Sequence, residues 1–305
     1  MADPVDLPTP SRPRVRGPAP RALVFGGSGQ IGRALLARLS AGGWEVLAVS
    51  RRPQPGLPGV QWQCGELAAP GRLPAAVDAI FSCGPLDGFA QWFARQAPAC
   101  GRVIAFGSTS LEVKRDSMDA AERDVAARLQ AAETGLFEAA AARDAAATVL
   151  RPTLIYGAGR DATLTRIATL AGRLHGFVLP SDARGLRQPV HVDDLAEAAL
   201  ACLQAPATHG RAYAVPGGET LAYREMVARV LAALPGRPRL WLLPAPLFRA
   251  LLAPARLAGL ASGLGDAALA RMREDLAFDA APAQRDFGYA PRAFAPIAAM
   301  FTPPA

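Results

Sequence analysis

Short, unbroken apolar runs alternate along the first half of the chain with longer stretches in which apolar positions recur every three or four residues. The short runs are residues 22–25 (ALVF), 45–50 (EVLAVS), 79–83 (AIFSC), 102–106 (RVIAF) and 148–156 (TVLRPTLIY), and a further short strand is expected over 60–63 (VQWQ), where apolar and polar residues alternate. Apolar runs without polar alternation predict strands buried on both faces of a parallel sheet. Helical periodicity fills residues 34–39, 89–97 and 119–143, the last opening on acidic residues that suit a helix N-terminus. Strand and helix in turn predict an α/β chain with a doubly wound parallel sheet. The second half is less regular. It predicts helices over 164–174, 193–203 (capped by Asp193), 223–234 and 266–275, with short strands over 187–192 and 211–215. The apolar stretch 240–264 is interrupted by Pro244, Pro246, Arg249, Pro254 and Arg256. That argues against a bilayer span and predicts a buried or partner-facing helix pair. Trp241, Phe248 and Leu251 would there wall a pocket or fill the core.

The turn between residues 22–25 and 34–39 changes the picture from architecture to chemistry. It reads Gly26, Gly27, Ser28, Gly29, Gln30, Ile31, Gly32. Strand, glycine turn and helix in that order are the dinucleotide-binding fingerprint of a Rossmann-type sheet, here spaced Gly26-x-x-Gly29-x-x-Gly32. The glycines serve a tight turn, close approach to a pyrophosphate and close helix packing, and the helix N-terminus offers free N–H groups to the phosphates. The second strand ends at Ser50, Arg51 and Arg52. No carboxylate stands there to hold the ribose hydroxyls of NAD, and two guanidinium groups suit a 2′-phosphate, so NADP(H) is expected over NAD. Cys83, Gly84 and Pro85 end the strand 79–83, where the chain must pass close to the cofactor.

Composition narrows the partners. The chain has 305 residues, 51% of them hydrophobic, and a formal net charge of +7. Lys114 is the sole lysine, and the arginines are scattered without a basic run interleaved with aromatics. A small-molecule substrate and anionic phosphate ligands are expected rather than nucleic acid. A homodimer is left open. Cys64, Cys83, Cys100 and Cys202 form no CxxC pair and no Cys/His cluster, which predicts a reduced, cytoplasmic protein without a metal site. Residues 1–20, rich in proline and without an apolar core, read as a disordered tail. Residues 21–160 are expected to form the NAD(P)-binding domain and 161–305 mainly a smaller α/β substrate-binding domain. Residues 187–205 return to the first.

With these pieces in order, the chain resembles the short-chain dehydrogenase/reductase superfamily, in its extended or atypical epimerase/dehydratase-like branch. The segments that carry the resemblance are GGSGQIG (26–32), GSTS (107–110), LRPTLIYG (150–157), RQPVHVDDLAEA (187–198), YAVPGGETLAYREMV (213–227) and DFGYAPR (286–292). The resemblance implies a cleft between a Rossmann domain and a C-terminal substrate domain. It also implies a Tyr-x-x-x-Lys pair as acid/base, and here the chain departs. Its tyrosines are Tyr156, Tyr213, Tyr223 and Tyr289, none followed four residues on by lysine. With Glu133 as landmark, the pair's places fall on Val125 and Leu129.

Four residues are candidates for the missing acid. Ser108 and Thr109 follow the strand 102–106, where family members hydrogen-bond the substrate oxygen. The plainer alternative is a hydroxyl-rich turn that caps its own backbone. Lys114 in the same loop could polarise a substrate oxygen or stand as an exposed cation. Tyr156, with Arg160 nearby, could supply a phenol or simply line the cleft. His191 and Asp193 are read as hydrogen-bonded supports. The expected function is an NADP(H)-dependent oxidoreductase or epimerase-like enzyme acting on a small carbonyl or hydroxyl compound through a non-standard proton donor. The alternative is a non-catalytic NADP(H)-binding sensor, scaffold or assembly protein.

Overall fold

The computed structural model describes residues 18–257 and 266–302. Most of the expected disordered tail therefore lies outside the described residues, as does the end of the apolar stretch 240–264.

The first half builds the sheet. In chain order it comprises β1 (Arg21–Phe25), α1 (Gln30–Ala41), β2 (Glu45–Ser50), β3 (Val60–Cys64), β4 (Ala79–Ser82), α2 (Leu86–Gln96), β5 (Arg102–Phe106), the short α3 (Ser110–Val113), α4 (Ala120–Ala141) and β6 (Ala146–Pro152). After Pro152 come β7 (Ile155–Tyr156), α5 (Leu164–Leu174), β8 (Gly176–Pro180), β9 (Leu186–Arg187), β10 (Val190–His191), α6 (Val192–Leu203) and β11 (Arg211–Val215). The remainder holds β12 (Leu221–Ala222), α7 (Tyr223–Ala233), β13 (Arg239–Leu243), α8 (Ala245–Leu257), α9 (Asp266–Arg271) and α10 (Ala281–Phe287). Seven strands form one sheet in the order β11-β6-β5-β4-β1-β2-β3, every pair parallel. The order reverses between β1 and β4, the switch point at which doubly wound sheets bind ligands. The Rossmann-type α/β fold read from the sequence is the fold observed.

Burial follows the apolar runs. β4 and the last four residues of β1 and of β5 are fully buried, as parallel strands covered on both faces should be. One face packs α1, α6 and α10 through Leu35, Leu36, Leu39, Leu195, Ala199 and Ala283. The other packs α2 and α4, with Phe25, Phe89 and Trp92 in tilted ring contact. A separate hydrophobic cluster lies off the sheet, built from Tyr156, α5, α7, Phe248, Met272 and Phe294.

The structure corrects the strand reading in three places. The run 148–156 is two strands. β6 stays in the main sheet, whereas β7 pairs only with β10. The run 187–192 likewise splits: β9 lies antiparallel to β12 and β10 parallel to β7, with Gln188 and Pro189 between them. Pro189 has no N–H to continue a ladder. Third, 239–243 is not helical: β13 pairs in parallel with β8, a strand absent from the sequence reading. Both are continuous apolar runs too short to distinguish strand from helix by periodicity. The cap of α6 also shifts. His191 is the N-cap, its Nδ1 accepting from the Asp193 N–H at 3.2 Å. Among the described residues no helix is long and apolar enough to cross a membrane.

Candidate functional site

β1 delivers the chain into the glycine turn at the switch point. Gly26 has φ +73°, and a Cβ there would lie 2.7 Å from the Cys83 carbonyl carbon. Only glycine can take that backbone and that proximity together. The Cys83 N–H donates to the Phe25 carbonyl at 2.9 Å, locking the ends of β4 and β1 side by side. A Cβ on Gly32 would stand 2.2 Å from the Gly26 oxygen, so α1 rests directly on the turn. Gly29 caps α1 without a side-chain hydrogen bond, and the first turn holds no acidic residue. Its leading amides are therefore available to an anion. Burial pushes the Cys83 thiol up to about 12, so this cysteine is a packing residue beside the turn.

Beside the turn lies a cavity of about 600 Å³ lined by Ser28, Arg33, Ser50, Arg51, Arg52, Gln54 and Arg160. It holds four guanidinium groups and no carboxylate. The Ser50 hydroxyl donates to the Arg52 carbonyl at 2.8 Å, which turns the chain as it leaves β2. Arg33 donates to the Ser28 carbonyl and to Gln54 Oε1, each at 3.4 Å, and Arg160 Nη1 donates to the same Ser28 carbonyl at 3.0 Å. Arg160 thus bonds to the glycine turn, where the sequence reading had set it to stabilise a Tyr156 phenolate. The turn has the form of a pyrophosphate cradle, and the arginines beside it offer charged donors to an anion.

A second cavity, of about 540 Å³, opens at the end of β5. Ser108, Thr109, Ser110 and Lys114 line one side; Arg166, Ile167, Leu170, Phe177, Arg271, Met272, Leu276 and Phe278 are among the others. Ser108 Oγ accepts from the Ser110 N–H at 3.1 Å and keeps its own proton to donate. Thr109 Oγ1 donates to the Pro152 carbonyl at 3.1 Å, so its proton is already engaged. Lys114 Nζ stands 3.9 Å from Glu122 Oε1, which also takes the Arg271 guanidinium, while the Ser117 hydroxyl donates to Glu122 Oε2 at 2.8 Å. Burial, and then Arg271, hold the Lys114 ammonium below the ordinary lysine range, against the opposing pull of Asp119.

Tyr156 is not in this wall. It is 1% exposed and packs edge-on against His191 and Phe294. Burial, and then Asp194, push its phenol up to about 12. The break after β6 explains the placement, because β7 turns Tyr156 into the cluster off the sheet. Beneath the 107–110 turn, Arg151 Nε donates to Glu133 Oε1 at 2.9 Å, and Glu133 is 2% exposed. Around α6, Asp193 accepts from Arg38 Nη1 at 2.9 Å and Asp194 from Arg292 Nε at 2.7 Å.

The sequence profile of the NAD dependent epimerase/dehydratase family matches residues 22–96 and 117–215. The chain belongs to this family. The interval between the two matched segments contains Ser108, Thr109 and Lys114, so the family match does not extend to the candidate acid. The chain is 31% identical over 317 residues to a 2-alkyl-3-oxoalkanoate reductase of Stenotrophomonas maltophilia, covering 89% of this chain and 95% of that one. Among solved structures it is similar to MoeE5 in complex with UDP-glucuronic acid and NAD, at TM-score 0.66 and 20% identity, covering 90% of this chain and 94% of that one. It is also similar to the epimerase Mth375 of Methanothermobacter thermautotrophicus, at TM-score 0.65 and 13% identity, covering 90% and 88%. These two likenesses concern the fold.

Sequence reasoning did not find Arg33, Gln54 or Arg160 at the first cavity, nor Arg166, Arg271 and Phe278 at the second. For Arg33 a signal existed, since it follows Gly32 directly and rises from the first turn of α1. Gln54 follows Arg52 by two residues, whereas the remaining arginines and Phe278 reach their cavities from elements distant in sequence, and no local pattern marks them.

Proposed function

We propose that this protein is an NADP(H)-dependent oxidoreductase acting on a carbonyl or hydroxyl compound. Residues 21–160 hold the nucleotide in this reading and 161–305 mainly the substrate, with 187–205 returned to the sheet. The observation that carries the cofactor is the set of four arginines, without a carboxylate, around the cavity beside the glycine turn. MoeE5 was solved with NAD; the arginines favour the phosphorylated nucleotide here.

When bound, the nicotinamide supplies or takes up hydride. Ser108, with its proton uncommitted, hydrogen-bonds the substrate oxygen, and Lys114 gives or takes the proton. The engaged hydroxyl of Thr109 assists by fixing the loop, and Tyr156, buried in the cluster off the sheet, takes no part. The named substrate of the S. maltophilia reductase, a 2-alkyl-3-oxoalkanoate, guides the choice of substrate. The second cavity joins Ile167, Leu170, Phe177 and Met272, apt for an alkyl chain, to Arg271, apt for a carboxylate.

The test has two parts. NADPH and NADH binding are measured by equilibrium titration on the wild type and on Arg51→Ala; loss of one charged hydrogen bond to phosphate should weaken NADPH by about ten- to a hundredfold and leave NADH unchanged. Oxidation of a 2-alkyl-3-hydroxyalkanoate by NADP⁺ is then followed by absorbance. Equal affinity for both nucleotides refutes the cofactor reading. NADPH binding without turnover across a hydroxy-acid series supports a binding protein instead, the reading favoured by the absent Tyr-x-x-x-Lys pair.

A further inference from the structure

Exposed apolar side chains are not spread evenly over the surface. Eight large hydrophobic residues are exposed among the described residues, and six of them (Leu170, Leu174, Trp241, Leu242, Leu247 and Leu251) lie on α5, β13 and α8. These elements adjoin one another: α5 and α8 both pack on β8, and β13 pairs with it. The Trp241 ring covers Gly176, where a Cβ would come within 2.0 Å of it, so Trp241 lies immediately beyond the end of α5. On α5 the core side is Leu164, Ile167, Ala168 and Ala171. Leu170 and Leu174, four residues apart, continue the outer stripe on which Arg166 begins. Single exposed leucines need no explanation, but a concentration of this kind marks an interaction surface.

The charge carried by these elements themselves is of one sign. Residues 162–181 and 226–265 contain seven arginines and no aspartate or glutamate. Of these, Arg166, Arg173, Arg237, Arg239 and Arg249 are exposed. An isologous contact with a second copy would set these arginines against themselves, which disfavours self-association through this face. Arginines bordering leucines and an exposed tryptophan match instead the interfacial region of an anionic bilayer, where the ring sits at headgroup depth and guanidinium groups meet lipid phosphate. Arg166 and Leu170 belong both to this face and to the lining of the second cavity, so the cavity opens onto it.

We propose that the face formed by α5, β13 and α8 docks the protein peripherally on an anionic lipid surface, with the mouth of the second cavity turned toward the lipid. No element enters the hydrocarbon core as a span. An amphiphilic ligand could then pass between bilayer and cavity without crossing water.

Sedimentation with vesicles tests this on the full-length protein without any need for turnover. Vesicles of pure phosphatidylcholine are compared with vesicles containing one part phosphatidylglycerol in three. The protein should partition onto the anionic vesicles only, less so at high salt, and brominated lipid should quench a part of the tryptophan fluorescence that Trp241→Phe removes. Arg239→Ala/Arg249→Ala should lower the partition about 25-fold, near fivefold per arginine. Leu247→Glu/Leu251→Glu should abolish it; because both side chains are exposed, unchanged NADPH binding and melting verify the fold of either variant. No partition onto anionic vesicles overturns the proposal. So does a concentration-dependent dimer that Leu247→Glu/Leu251→Glu dissolves, which would assign the face to a second copy.

Discussion

Replacing Glu133 by alanine tests whether the buried ion pair under the 107–110 turn holds that turn in place. Glu133 lies on α4 with its side chain 2% exposed, facing Arg151 on β6, whose side chain is 18% exposed. Arg151 Nε contacts both carboxylate oxygens, at 2.9 and 3.2 Å, and Nη2 bonds Glu133 Oε2 as well. Removing one partner of such a pair strands the other charge, at a cost of about 3–5 kcal/mol. Arg151 would retain Glu112 Oε1 at 2.9 Å, but Glu112 is 42% exposed and solvent screens it, so this offsets only about 0.5–1 kcal/mol. Glu133→Ala should therefore destabilise by about 2–4 kcal/mol, a fall of roughly 1 M in the urea midpoint. Glu133→Leu/Arg151→Met, which removes both charges and keeps the volume, should recover most of the loss. A Cβ on Gly107 would stand only 3.1 Å from Glu133 Oε1, so movement of the pair displaces the loop carrying Ser108. Glu133→Gln should accordingly reduce turnover more than NADPH affinity. A loss under about 1 kcal/mol for Glu133→Ala, or no recovery in the double variant, would refute the reasoning.

Three further outcomes are expected. Burial, and then Arg292, lower the His191 pKa from 6.5, so the unfolded chain binds the proton more readily. Stability is full above pH 6.5 and is lost as pH falls through the window below it. Melting temperatures between pH 8 and 5 should show this slope for the wild type and a shallower one for His191→Asn, which keeps an N-cap acceptor; equal slopes would be contrary evidence. Gly32→Ala should abolish saturable NADPH titration while circular dichroism still reports a folded α/β protein, because the new methyl displaces α1 from the turn. Lys114→Met should cost about 10²- to 10⁴-fold in the rate of carbonyl reduction. The wild-type rate should fall as pH rises through the lowered Lys114 pKa, since the ammonium is the acid; a flat profile in that range would remove Lys114 from the role.

The central sheet was legible in the sequence because most of its strands are apolar runs bounded by turns; the edge strand β3, VQWQC, is the exception. The glycine turn was legible too, its spacing being a local pattern with a mechanical reason. What stayed hidden depends on pairing between distant segments. Residues 148–156 and 187–192 each look like one strand until the partners of β7 and β10 are known, and the first split is what sends Tyr156 into the second hydrophobic cluster. β8 and β13 were unreadable for another reason, since apolar runs this short suit either element. The arginines told both stories: Arg51 and Arg52 announced themselves at a strand end, whereas Arg160 and Arg271 arrive at the cavities from elements far along the chain.

The routing of the chain between its hydrophobic clusters has a mechanical consequence. The chain leaves the sheet after β6, returns with α6 and β11, leaves again for β12, returns with α10, and leaves a last time so that Tyr289 joins the sheet cluster and Phe294 the other. Five covalent links therefore join the two hydrophobic clusters in parallel. A single connection would act as a free hinge; five behave as a laminated joint, stiff to twisting and shear and compliant only about the axis common to all of them. Any motion of one cluster against the other is then a small, directed flexion, and neither can be cut out as one continuous piece of chain.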